Sequence, residues 1–402
     1  MRKHKSDRVI AILTFVLMAV GLIVIFAIGP QRVNFMNASL PDSQKMATNA
    51  FFMAQLKSVV VATVGFILAF KFPYEKLRQY AKWIMLAGVV CCVILAGAAA
   101  VKAPVAMCEL GGCRWINLGV TTFQPAELLK LGLVLYLAGL AAKWKKAGKL
   151  ETRDFLQPFA IVSVVSLVFV VVLQKDLGTG IVLVMIILAI LYMSGIQMKY
   201  FLIALGILAA GGVFAIVSSP HRLERMMTFS GQGSSDETYH IDNAKMAIGT
   251  GGLLGVGIGN SVQATGYLPE SINDSVFAVM GETFGFVGLL AIIAVFFWLL
   301  SRILKVSAKL ETERSLVTVG VFAWIATQTI VNIAAMTGLI PLTGITLPLL
   351  SYGGTSMLFV AIGLGIVCQL SCYTGREVNR NEDISSGRRL GGTYHTSRRR
   401  SA

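Results

Sequence analysis

The sequence predicts an all-α integral membrane protein of ten transmembrane helices, with both termini cytoplasmic and a large extracytoplasmic loop between spans 7 and 8. Three observations lead there. Of the 402 residues, 55% are hydrophobic and 14% charged, with a mean hydropathy of +0.74, a balance that suits lipid rather than water as the solvent. Apolar stretches long enough to cross a hydrocarbon core of roughly 30 Å as helices recur along almost the whole chain. Lys and Arg collect in alternate connections, as the excess of basic residues on cytoplasmic loops requires.

The spans fall at 9–29, 55–71, 82–101, 126–142, 155–173, 177–195, 199–217, 275–301, 315–337 and 353–373. The first is a retained span rather than a signal peptide, because it is long, lacks a small-residue cleavage pattern and precedes many others. From the inside, cytoplasmic segments carry Arg2, Lys3, Lys5 and Arg8, then Lys71, Lys76, Arg78 and Lys82, then Lys143, Lys145, Lys146, Lys149 and Arg153. The 196–199 turn adds only Lys199; Arg302, Lys305, Lys309 and Arg314 follow, and then the arginines of the tail. An even number of crossings with both ends inside results. The formal charge of +15 is explained by topology and attraction to anionic lipid, so the membrane is a partner and no nucleic acid is called for.

Residues 1–8 form a basic cytoplasmic tail and 9–373 one membrane domain; 374–402, rich in Arg, Ser and Gly, is expected to be a disordered cytoplasmic tail. The long segments 30–54, 102–125 and 218–274 all fall outside, where function is therefore expected. Of six cysteines, Cys91, Cys92, Cys368 and Cys372 lie within spans or at their ends, as small apolar residues. Cys108 and Cys113 share an outer loop where oxidation is permitted, and a disulfide and two free thiols are both open. No Cys/His cluster of metal-binding spacing is present, and no metal-ligating residue is assigned.

Ionisable residues at membrane depth are costly and each is a candidate for a site. Glu127 and Lys130, three apart at the start of the fourth span, read either as a structural ion pair or, with Arg114, as a polar pocket for an anionic ligand. Asp176 reads as a helix N-cap or a cavity-lining carboxylate. The loop from 218 supplies Arg222, Arg225 and Lys245, then a glycine run over 249–259. That run lacks the Gly-Lys-Ser/Thr ending of a nucleotide loop and reads as close backbone packing. Asp274 could be an N-cap; at an apolar boundary it could equally be a general base with a raised pKa. Glu282 falls at membrane depth. Gln328 and Asn332 form a polar stripe in the ninth span, and the Pro/Gly-rich 338–356 stretch, with Ser351, points to irregular backbone lining an outward cavity.

Several motifs occur in order: Arg114-Trp-Ile-Asn-Leu-Gly119 with Gln124-Pro-Ala-Glu127-Leu-Leu-Lys130, Asp176-Leu-Gly-Thr179, Gly255-Val-Gly-Ile-Gly259, Leu268-Pro-Glu270 with Asp274, Gly281-Glu282, and Pro348-Leu-Leu-Ser-Tyr-Gly-Gly354. Together they resemble the SEDS family of bacterial cell-wall polymerases, the group of FtsW, RodA and their sporulation paralogue. The resemblance implies a peptidoglycan glycosyltransferase that joins lipid II into undecaprenyl-pyrophosphate-linked glycan at the outer face. It makes Asp274 the catalytic base, with the basic residues, and a divalent cation (Mg2+ or Mn2+) if one is used, offsetting charge on the pyrophosphate. Glu127, Asp176, Glu282, Gln328, Asn332 and Ser351 join Arg114, Lys130, Arg222, Arg225 and Lys245 as expected substrate-binding residues. The expected partners are a class B penicillin-binding protein and other division-complex proteins.

Three positions depart from the family pattern: Lys175 stands where Pro is usual, Asn273-Asp-Ser275 replaces Thr-Asp-Phe, and Gly281-Glu-Thr283 carries one acid where two are common. The Gly281-Glu282 pair and the 343–348 stretch look more like the division branch than the elongation branch. A lipid II flippase, an elongation-type polymerase and a scaffold are the competing readings; the flippase would carry charge through the membrane depth, whereas the polar segments here concentrate outside.

Overall fold

The computed structural model of the protein describes residues 6–374 apart from 39, 110, 111, 120 and 230–234. The expected disordered tail falls outside the described residues but for its first position. The helices are α1 (Arg8–Asn37), α2 (Ala50–Lys71), α3 (Tyr74–Ala100), α4 (Pro125–Lys146), α5 (Arg153–Leu167, continued as a π-helix over Val168–Leu173), α6 (Leu177–Ser194), α7 (Met198–Val217), α8 (Pro220–Phe229), α9 (Ser235–Thr250), α10 (Val276–Ser307), α11 (Thr312–Met336) and α12 (Gly354–Leu370). Ten are long and apolar enough to cross a membrane. Each overlaps one expected span, because apolar runs of that length have few alternatives in lipid.

Burial separates core from periphery. The apolar windows of α4, α11 and α12 are 78%, 83% and 78% buried, whereas α7 has no fully buried residue and packs against the core only through half-buried side chains such as Phe201 and Ala204. Helices α3 and α4 approach closely because Gly88 and Gly132 face the partner backbone: a Cβ on Gly88 would stand 2.9 Å from the Cα of Leu129, and one on Gly132 2.7 Å from that of Met85. Local signals set the ends. Pro125 occupies the first turn of α4, where a missing N–H is harmless, Lys143, Lys145 and Lys146 occupy its last turn, and Gly195 closes α6 in the left-handed region at φ 82°.

Two expectations are corrected. The chain is not wholly helical: β1 (Ala106–Glu109), β2 (Gly112–Asn117) and β3 (Thr122–Phe123) form a small antiparallel sheet, with Cys108 opposite Cys113 in a disulfide. The 218–274 segment, read as loop, contains α8 and α9, whose polar composition hid their period from a search for apolar runs.

The glycine run packs as expected, and for a specific reason. Helix α10 is broken at Gly285 (φ 68°), which leaves backbone groups without helical partners. Residues 252–257 supply those partners: Val256 and Gly257 donate to the carbonyls of Glu282 and Thr283, and Phe286 and Val287 donate to those of Gly252 and Leu253, at 2.9 to 3.1 Å. A Cβ on Gly251 or Gly255 would collide with the α10 backbone, so glycine is what admits the approach.

Candidate functional site

One end of the bundle gathers the sheet, the segment from α8 to the start of α10, and the 337–353 stretch. The turn over 268–275 presents Asp274. Asn273 and Ser275 donate their N–H groups to the Glu270 carbonyl at 2.9 and 3.2 Å, and Tyr352 donates its N–H to the Ile272 carbonyl at 2.9 Å. Asn332 fixes the turn from α11: its Nδ2 donates 2.7 Å bonds to the carbonyls of both Asp274 and Ile345. The expected polar stripe is thus a brace for the acid. Glu270 (φ 48°), Lys175 (φ 55°) and Leu349 (φ 66°) adopt left-handed backbone, a strained state for non-glycine residues that the surrounding bonds maintain.

The N-cap of α10 is Ser275, so capping does not explain Asp274. The residue keeps part of its surface open, while the protein atoms crowded around its carboxylate remove most of its hydration. That desolvation, followed by the repulsion of Glu270, pushes its pKa up to about 7; its own backbone N–H, Ser275 and Arg225 pull the other way. A carboxylate poised there suits proton transfer near neutral pH.

Three arginines lie at this end, and of them Arg225 acts on the Asp274 carboxylate. Arg114 on β2 donates from Nη2 to the Lys175 carbonyl at 3.3 Å, and its Nη1 and Asp274 Oδ2 lie 3.7 and 4.0 Å from where a Cβ of Gly344 would be, so both groups flank that glycine. Arg222 on α8 donates to the carbonyls of Ala215 and Val171 at 2.9 and 2.6 Å. Burial lowers the Arg222 pKa, with Arg114 and Arg225 adding repulsion and Asp176 opposing them, so these charges sense one another. Arg225 donates to the Leu342 carbonyl at 3.3 Å.

Other expected site residues are held in these contacts. Glu282 staples the loop: it accepts from Ser261 Oγ at 2.5 Å and from the N–H groups of Val262 and Gln263 at 2.9 and 3.2 Å. Ser351 accepts the Leu347 N–H at 2.8 Å inside its own turn. Asp176 caps α6 through the N–H and hydroxyl of Thr179, at 2.9 and 2.8 Å. Lys130 and Glu127 pair at 2.7 Å with exposures of 0% and 2%, and the ammonium sits 4.9 Å from the Trp324 ring, so the pair is packed away from the surface. Gln328, a turn beyond Trp324, is buried with them, while exposed Lys245 lies against Gly338 beyond the C-terminus of α11.

Among the described residues no cluster of three His, Cys, Asp or Glu side chains gathers to hold a metal. The donors beside Asp274 do not make a protein cage for Mg2+ or Mn2+, and the steps described below run through side chains alone. Residue-by-residue reading missed His240 on α9, whose Nε2 lies 2.7 Å from Ser275 Oγ. The unusual serine after Asp274 was the available signal.

Ten helices long and apolar enough to cross a membrane, with Asp274 and three arginines at one end of the bundle, define a polytopic membrane protein. The family model described as "Cell cycle protein", of FtsW, RodA and SpoVE, matches residues 7–376, and the chain belongs to that family. It is 30% identical over 380 residues to the probable peptidoglycan glycosyltransferase FtsW of Escherichia coli, covering 92% of this chain and 87% of that protein. It is 31% identical over 378 residues to stage V sporulation protein E of Bacillus subtilis, covering 93% and 99%. A chain from a solved structure of a peptidoglycan synthase complex that coordinates polymerization and crosslinking shares the fold with a TM-score of 0.70 at 22% identity, covering 92% of this chain and 98% of that one.

Proposed function

We infer that this chain is a peptidoglycan glycosyltransferase that polymerises lipid II at the outer face of the bacterial cytoplasmic membrane, in septal wall synthesis during cell division. The curated relatives support the activity, and the observation that carries its chemistry is Asp274, a carboxylate whose pKa burial pushes up to about 7 and which lies, like Arg114, beside Gly344. The basic connections at the opposite end of the bundle, such as 143–153 and 302–314, support a cytoplasmic assignment for that end, which turns the Asp274 end outward and both termini inward.

Asp274 takes the proton of the sugar 4-hydroxyl of one lipid II. The oxygen bonds to the anomeric carbon of the growing chain, whose bond to undecaprenyl pyrophosphate breaks. Arg114, Arg222 and Arg225 offset the charge that develops on the departing pyrophosphate, a task suited to guanidinium forks. The partner fitted to this role is a class B penicillin-binding protein that crosslinks the product.

The test is polymerisation of purified lipid II by the detergent-solubilised protein with its cognate class B partner. Glycan strands from wild type that vanish in Asp274→Ala and Asp274→Asn, with folding intact, are expected. Undiminished polymer from both variants would overturn the assignment of Asp274.

A further inference from the structure

Ser275 stands at the N-cap of α10 and makes no capping bond. Serine at this position ordinarily accepts an N–H from the first turn of its helix, so a hydroxyl withheld from that use needs another explanation. Here the side chain is fully buried, and its Oγ lies 2.7 Å from His240 Nε2 and 3.4 Å from Asp274 Oδ1.

We propose that His240 and Ser275 are positioning residues for Asp274: the imidazole donates through Nε2–H to the serine hydroxyl, the hydroxyl donates to Oδ1, and Oδ2, beside Gly344, is left as the proton-accepting oxygen. The inference rests on the reading of Asp274 as the base. Proton counting fixes the direction. A hydroxyl has one proton, and if the carboxylate receives it, Nε2 must be the donor to Oγ. Burial and the charge of Arg225 hold the His240 pKa down to about 4, so the imidazole is neutral at working pH and carries one N–H. The Ser275–Asp274 separation of 3.4 Å exceeds the usual O–H···O distance, so this is the weaker of the two contacts the hydroxyl makes.

The charged and titratable groups near Asp274 are Glu270 on its own turn, Arg225 on α8, His240 on α9 and Arg114 on β2, while α11 contributes the neutral Asn332. Of these contacts, the serine hydroxyl is the donor that His240 orients. Its loss makes the carboxylate easier to protonate, which raises the pH below which activity falls.

The experiment is the pH–rate profile of lipid II polymerisation by the full chain with its class B partner, for wild type, Ser275→Ala, Ser275→Thr, His240→Ala and His240→Gln, beside Asp274→Asn. The acid limb is expected to move up by about half a unit to one unit in both alanine variants, and to return towards wild type in Ser275→Thr and His240→Gln, which keep a donor. An unmoved limb in the alanine variants, with Asp274→Asn inactive, would overturn the relay and leave the base in place. Losses as large in Ser275→Thr and His240→Gln as in the alanine variants would also overturn it, since bulk would then be what counts. Activity in Asp274→Asn would overturn the base and the relay together.

Discussion

The two ends of the bundle use the same kinds of charged residue in opposite ways. At the end formed by the start of α1, α3 and α11, cations meet carboxylates: Arg302 bonds Asp7 at 2.5 Å, Arg314 bonds Glu75 at 2.9 Å, and Arg78 bonds Glu313 at 3.0 Å, with the Tyr74 hydroxyl donating to the same glutamate. At the other end Arg114 and Arg222 donate to main-chain carbonyls, which orient a guanidinium without cancelling its charge. Compensated charge ties helices together, whereas oriented charge beside a carboxylate awaits an anion. A cavity of about 360 Å³ lies at the compensated end, lined by Tyr74, Glu75, Arg78, Lys146 and residues 311–314, and its arginines are already paired across it.

Substitutions at the two ends should therefore separate cleanly. The largest effect is expected from Asp274→Asn, a loss of polymerisation of about 10²- to 10⁴-fold, the range of a removed acid–base group, measured on lipid II. The same change should raise thermal stability at alkaline pH. The folded state raises the pKa of this carboxyl from 3.8 to about 7, so the fold binds more protons than the unfolded chain between those values. Stability then falls as pH rises through that window, and the neutral amide escapes the loss. Next, Arg222→Ala and Arg114→Ala should each lower kcat/KM by about 10- to 100-fold, and Arg222→Lys should recover little of it, because one ammonium cannot reproduce the fork that reaches two carbonyls.

Smaller effects sharpen the contrast. Polymerisation should fall as pH drops through about 7, because the base must be ionised, and a pH series on wild type checks the sign. Reducing the Cys108–Cys113 disulfide, or replacing both with serine, should weaken activity a few-fold, since the bridged hairpin places Arg114 next to Cys113. Arg302→Ala, at the compensated end, should leave polymerisation within about twofold and cost stability of about 0 to 1 kcal/mol, as partly exposed pairs do.

What the sequence made legible follows from what lipid constrains. All ten spans were readable because apolar length is a sufficient signal, and the disulfide remained one of two open readings because loop spacing permits a bridge without requiring it. The sheet was missed because its strands are two to six residues long and one is polar. Glu282 and Ser351 stood out because chemistry marks them, but the partners that hold them, the Ser261 hydroxyl and main-chain N–H groups, are brought near only by the folded loops. His240 and Ser275 lie 35 positions apart, and no local pattern joins them. Asp274 was legible through its boundary position and the motif around it; its brace from Asn332 emerged only in the packing of α11.

The most direct test sets the two ends against each other in one assay: lipid II polymerisation, with the class B partner present, by wild type, Asp274→Asn and Arg302→Ala purified alike. Strands from wild type and Arg302→Ala, with none from Asp274→Asn, are the predicted result. Polymer from Asp274→Asn at the wild-type rate, or equal loss from both substitutions, would contradict a single catalytic end built around Asp274.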